Sequence, residues 1–239
     1  MIEDRFEAQG TGVRGLAAAA GIAALMVVVL TLAEVVAFAL APQPATAAEW
    51  FRVFTNDPFA GIVSFWGLEL PMYAAFVVVF LGLFVELRLH GPARTAIALL
   101  FVGIGAAVFF ATNNPFTMLS LATRYEAAAD AGSRELFLAA GEAVIAGTGQ
   151  RAMGGFNVGL LLVNVGGLLI ASCMTRHAAF GRGLATLGYL AFGFSLLDFV
   201  RQFVTSSAIA ALLVIMPGAL LLMVWFSFVG VRFLRGRRR

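Results

Sequence analysis

Five polar side chains draw attention through their position in the chain. Glu34, Glu69, Asp198 and Arg201 fall within stretches otherwise built of Ala, Val, Leu, Ile, Phe and Gly, and Asn157 opens another such stretch. A charged side chain at the centre of a spanning helix costs on the order of 3 kcal/mol on insertion scales. Groups kept at that cost face a bundle interior or a cavity, where they pair with one another, relay protons or hold a ligand. These five are therefore the candidate ligand-binding or proton-relay residues.

The elements that must position them follow from composition. Of the 239 residues, 61% are hydrophobic and only 12% are charged, with a mean hydropathy of +0.95. A soluble domain carries about 25% charged residues, and a chain this apolar lacks the polar groups to cover its surface. Apolar runs of spanning length recur along it, so lipid is the expected solvent. The fold class expected is an all-α, polytopic transmembrane helix bundle forming a single integral membrane domain over residues 1–239.

The spans fall at about 16–40, 62–85, 93–111, 152–174, 184–204 and 208–231. The first superficially resembles a secretory signal, with Ala39-Leu40-Ala41 as its cleavage site. Its apolar run is too long for a signal, Glu34 interrupts it and Pro42 follows, so an uncleaved helix is expected. Before the second span, Trp50 and Phe51 suit a headgroup level. Glu69-Leu70-Pro71 divides the apolar run into a short interfacial piece and a true span, with Pro71 in its first turn. The third span stops at Asn113-Asn114-Pro115, where Asn114 caps a new helix that Pro115 starts.

Residues 114–149 are the longest non-spanning stretch. Phe116, Leu119 and Ala122 share one face; Asp130-Ala131-Gly132-Ser133 reads as a turn; Glu135 and Glu142 then share a face opposite Phe137, Leu138, Val144 and Ile145. Two amphipathic helices lying on the membrane or covering the bundle satisfy this pattern.

All the basic residues are arginine, and they fix the expected orientation. Eleven fall on the side of the termini and five (Arg52, Arg124, Arg134, Arg151, Arg201) on the other. The positive-inside bias then puts both ends in the cytoplasm, with 114–149 extracytoplasmic. Glu34 and Asp198 each lie about six residues, or roughly 9 Å, below the outer end of their helices, and Glu69 lies in the outer part of its own. Asn113, Asn114, Arg151 and Asn157 end or begin spans on that side. An outward-facing polar cavity, lidded by residues 114–149, is the sharper expectation. The plainer one keeps Asp198 and Arg201 as a neutralising pair on one helix face, Glu69 at a helix N-terminus, and Glu34 paired with Arg201 or protonated.

Tyr125-Glu126-Ala127-Ala128, Leu138-Ala139-Ala140-Gly141-Glu142-Ala143 and the run Met174-Thr175-Arg176 with Phe180-Gly181-Arg182 resemble a bacterial family of uncharacterised six-span membrane proteins, a domain of unknown function. The resemblance implies the same architecture over most of the chain and brings no activity with it.

No motif points to catalysis. His90 and His177 fall in cytoplasmic turns, outside the bundle where an axial haem ligand would sit, and neither belongs to an HExxH zinc motif. The single cysteine, Cys173, makes neither an internal disulfide nor a thiolate cluster. Gly103 and Gly105, and Gly155, Gly159, Gly166 and Gly167, read as helix-packing positions. Ser172 and Ser195 lack a nucleophile elbow. No cofactor, metal or nucleic acid is expected; the expected partners are membrane lipids with a small-molecule ligand or a membrane partner protein. Two functions remain open. One is ligand or lipid binding in a transporter or sensor component; the other is a structural or accessory subunit docking through residues 114–149.

Overall fold

The computed structural model describes residues 2–40, 43–148, 157–178, 180–205 and 207–236. Among these, every regular element is helical: α1 (Ile2–Leu40), α2 (Ala47–Asn56), α3 (Pro58–Ile62), α4 (Glu69–Leu87), α5 (Pro92–Thr112), α6 (Pro115–Ala127), α7 (Ala131–Gly147), α8 (Val158–Met174), α9 (Gly181–Val204) and α10 (Ala208–Gly236), with a π turn at Val63–Gly67 and a 3₁₀ turn at Arg88–His90.

Six of the helices close a ring. In order around it α1 packs on α4, α4 on α5, α5 on α8, α8 on α9, α9 on α10, and α10 returns to α1. Five of the helical stretches are long and apolar enough to cross a membrane, and α8 is a shorter apolar helix of 17 residues. The outward faces carry exposed Val29, Leu100, Leu190, Leu213 and Phe228, while Phe80, Phe109, Phe192 and Trp225 are buried inside. An apolar exterior around an apolar core is stable where lipid, not water, is the solvent.

Small residues let the ring close tightly. A Cβ on Gly105 would lie 2.6 Å from the Gly159 carbonyl oxygen, and one on Gly159 would lie 2.7 Å from that of Gly105. Only glycine admits this approach of α5 to α8, the packing anticipated for Gly105 and Gly159. Gly103 meets nothing within 4 Å, so the packing reading fails there. Gly155 and Arg151 lie outside the described residues.

α2, α3, α6 and α7 form a cap at one end of the ring, around a second core of Trp50, Phe51, Phe54, Phe65, Met118 and Ile145. Side chains start each cap helix by accepting from its free amides. Thr46 and Glu49 form a capping box on α2, Asp57 caps α3, Asn114 caps α6 and Asp130 caps α7. The Asp130 stretch is thus the start of a helix, not a free-standing turn. Glu142 ties α7 to α2 by accepting from the Ala47 amide at 2.8 Å. Buried Asn113 ties cap to ring, its amide nitrogen donating to the Thr148 carbonyl at 3.0 Å.

The two largest departures from the expected boundaries lie at the start of α1 and before α4. α1 extends back through the polar segment to Ile2, because no proline precedes Pro42 and its residues continue the helix without a stop. The second apolar run breaks three residues before Glu69-Leu70-Pro71, and α4 itself starts at Glu69. At the break, Phe65 and Trp66 leave helical geometry, and Trp66 takes φ 62°. That left-handed backbone is uncommon for a bulky residue and marks a position held by its surroundings. Trp66 packs on both the ring core and the cap core.

Candidate functional site

All six ring helices converge on one cavity at the capped end. Its volume is about 380 Å³, and its wall includes Glu34 of α1, Glu69 and Tyr73 of α4, Phe109 of α5, Asn157 at the head of α8, and Asp198 of α9. Val214, Ile215 and Leu222 of α10 complete an apolar side.

The break at Trp66 makes Glu69 the first residue of α4 and turns its side chain inward, where it is 3% exposed. Glu34, half-buried on α1, stands in hydrogen-bonding contact with it. Two carboxyl groups make a hydrogen bond only with a proton between them, because an ionised carboxylate has no donor. The other Glu69 oxygen, Oε1, is buried and has no hydrogen-bond partner. Among the described residues no basic side chain completes a salt bridge to either glutamate.

One turn further along α4, Tyr73 stacks on Phe109 with ring centroids 3.9 Å apart and planes 8° apart. The indole of Trp66 meets Phe109 edge-on at 5.8 Å. The Tyr73 hydroxyl donates to Asn157 Oδ1 at 3.4 Å, and that same oxygen accepts from the Leu160 amide at 2.9 Å, capping α8. Asn157 therefore serves both the helix terminus and the cavity wall.

Asp198 faces the cavity with its charge already matched. Arg201 Nε donates to Oδ1 at 2.6 Å and Gln202 Nε2 donates to Oδ2 at 3.0 Å. Arg201 is buried, and its Nη1 also donates to the Thr205 carbonyl at 3.1 Å.

Four of the five residues singled out from sequence thus meet around the cavity: Glu34, Glu69, Asn157 and Asp198. Arg201 stands behind the wall, as the partner of Asp198 and not of Glu34. Arg151, read beside them, lies outside the described residues. No described residue of α6 or α7 reaches the cavity; among the described residues the cap-side contribution is Trp66, from the turn beneath the cap. Sequence reasoning missed Tyr73, Trp66 and Phe109, although Tyr73 follows Glu69 by four residues and so shares its face. It also missed Asn164, on α8 one turn below Leu160, whose buried amide group has no partner.

Comparison with family models, curated proteins and solved structures finds no match to this chain.

At the uncapped end the two histidines come together, with ring centroids 4.7 Å apart and His177 Nε2 at 3.6 Å from Glu86. Burial holds the His177 imidazole below its ordinary pKa; Glu86 opposes that shift and His90 adds to it.

Proposed function

We propose that this is a six-span protein of a bacterial cytoplasmic membrane, with both ends cytoplasmic and the cap outside. In this reading it binds a small ligand or lipid headgroup in the capped-end cavity, as part of a transporter or sensor. The observation that carries the reading is the convergence of Glu34, Glu69, Asn157 and Asp198, distant in sequence, on one cavity of about 380 Å³. A largely apolar wall with a few convergent polar groups, enclosing roughly 300–1,000 Å³, is the usual form of a small-molecule site.

The arginine balance of eleven against five supports the orientation. α8 counts as the sixth span because it runs between α5 and α9 in the ring, and its 17 residues are preceded in sequence by apolar Ala152 to Phe156. Membership of the uncharacterised bacterial six-span family belongs to the same proposal and rests on the quoted stretches of sequence.

Native mass spectrometry of the gently extracted protein tests the reading. A small-molecule adduct is expected on the wild type and absent from Leu160→Trp, which fills the cavity, at unchanged melting temperature. Identical spectra from the two proteins would refute it. A retained protein subunit would instead favour an accessory role docking through residues 114–149. Exposed Phe116 and Leu136 are the surface available for that role, since Phe137 and Leu138 pack on the cap's own core.

A further inference from the structure

We propose that the ligand is a lipophilic protonated amine. Its ammonium head would lie between the Glu34–Glu69 pair and the rings of Trp66, Tyr73 and Phe109, and its apolar body would follow α10 toward the lipid. This inference rests on the reading of the cavity as a ligand site and names the chemistry that site selects.

Charge is the first argument. Asp198 is balanced by Arg201, so it adds no net charge to the cavity. Once the Glu34–Glu69 pair gives up one of its two protons, the negative charge it gains has no described basic side chain to pair with. Glu69 sits in the first turn of α4, where the helix dipole favours an anion. An anionic ligand would meet this field unfavourably, whereas a cation completes it.

Hydrogen bonding narrows the cation. Glu69 Oε1 is a buried acceptor without a donor, and an acceptor in that state is costly to leave unmatched. A protonated primary or secondary amine brings N–H donors that a quaternary ammonium lacks. The aromatic lining adds to the same preference. Trp66, Tyr73 and Phe109 all contribute to the wall, and a ring face not covered by the Tyr73–Phe109 stack attracts an ammonium through its quadrupole.

The rest of the wall fixes the body. Met72, Leu160, Val214, Ile215 and Leu222 present only apolar surface to the cavity. α1 and α10 meet closely at the far end of the ring, where a Cβ on Gly230 would lie 3.0 Å from the Gly21 carbonyl oxygen. Toward the cap both are more exposed: from Val28 to Ala37 no side chain of α1 is buried, and Val214, Ile215, Ala219 and Leu222 on α10 are only half-buried. The cavity therefore opens sideways, between the capped-end halves of α1 and α10, onto the apolar zone of the membrane.

The test uses the full chain in lipid nanodiscs, titrated calorimetrically against empty nanodiscs. The probes share one apolar body: 4-phenylbutylamine, its N,N,N-trimethyl analogue, 4-phenylbutanol and 4-phenylbutyrate. The amine is expected to bind most tightly and the carboxylate not at all. Glu69→Gln and Glu34→Gln should each weaken the amine about tenfold, the loss of one charge-assisted contact, and leave the alcohol unchanged. The melting temperature of each variant establishes that it folds. Octylamine and hexadecylamine should both bind, because a side opening tolerates a long tail; a sharp loss with the longer chain would overturn the route. Equal binding of amine and alcohol, or preference for the carboxylate, would overturn the ligand class while leaving a ligand cavity. If no probe binds but the native adduct still disappears in Leu160→Trp, the class alone has failed. If no probe binds and that adduct is also absent from the wild type, both readings fall.

Discussion

The Asp198–Arg201 pair offers a perturbation whose size can be worked from the structure. Arg201→Met removes a guanidinium that donates to Asp198 at 2.6 Å and to the Thr205 carbonyl at 3.1 Å. Hydrogen bonds to charged groups contribute about 1.5–3 kcal/mol each, and breaking a buried pair costs about 3–5 kcal/mol. Asp198 borders the cavity and keeps the Gln202 donor at 3.0 Å, so part of that cost is relieved. We expect Arg201→Met to lose about 2 kcal/mol of stability. Asp198→Asn takes the carboxylate away from a guanidinium whose side chain is only 7% exposed, against 18% for Asp198. Its loss should be larger, about 3 kcal/mol. The double variant leaves no charge stranded, so its loss should be about 3 kcal/mol and not the additive sum, a coupling of about 2 kcal/mol. Thermal unfolding of the four proteins in mild detergent, followed by tryptophan fluorescence, measures the cycle. A coupling below about 0.5 kcal/mol would mean that the two groups act independently and would refute the balanced-pair argument.

Two further outcomes follow from other parts of the fold. Gly159→Val, which drives a side chain into the Gly105 carbonyl, should destabilise the α5–α8 contact by about 1–3 kcal/mol, whereas Gly103→Ala, in open space, should be neutral or slightly stabilising; melting temperatures separate the two. The His177 imidazole titrates below its ordinary range in the folded protein. Its contribution to stability is therefore present above about pH 6.5 and is lost as pH falls through the folded value. His177→Asn should flatten that acid-side loss in melting experiments between pH 7 and 5, and an unchanged slope would count against the burial argument.

The ring helices were legible in the sequence because lipid demands long apolar runs, and such runs need no knowledge of their neighbours. Asn114, Pro115 and Pro71 could be read for a similar reason, since capping chemistry is local to a few residues. Closure of the six helices into a ring is not local. It depends on which glycine faces which carbonyl across α5 and α8, and small residues recur too often along this chain to reveal that pairing. The break at Trp66 was misplaced for the converse reason. Glu69-Leu70-Pro71 carries the stronger local signal, but a proline in a first helical turn interrupts nothing, and it is Trp66, pinned between two cores, that leaves helical geometry.

The same distinction separates what was and was not visible in the site. Depth along a helix is one coordinate, and it brought Glu34, Glu69, Asp198 and Asn157 to one level of the bundle. Position around each helix is the second coordinate, and without it the ionisable groups at that level are equivalent. The structure supplies it and divides them into two kinds. Asp198 and Arg201 share α9 and match each other's charge at 2.6 Å, so they need nothing from outside the chain. Glu34 and Glu69, 35 residues apart in sequence and on different helices, bring two carboxyl groups together and leave Oε1 buried without a donor. A folded chain that needed only stability would place a cation or an apolar residue beside them. An acidic pair kept unmatched at a cavity bordered by Trp66, Tyr73 and Phe109 is what a site built to receive a cation requires.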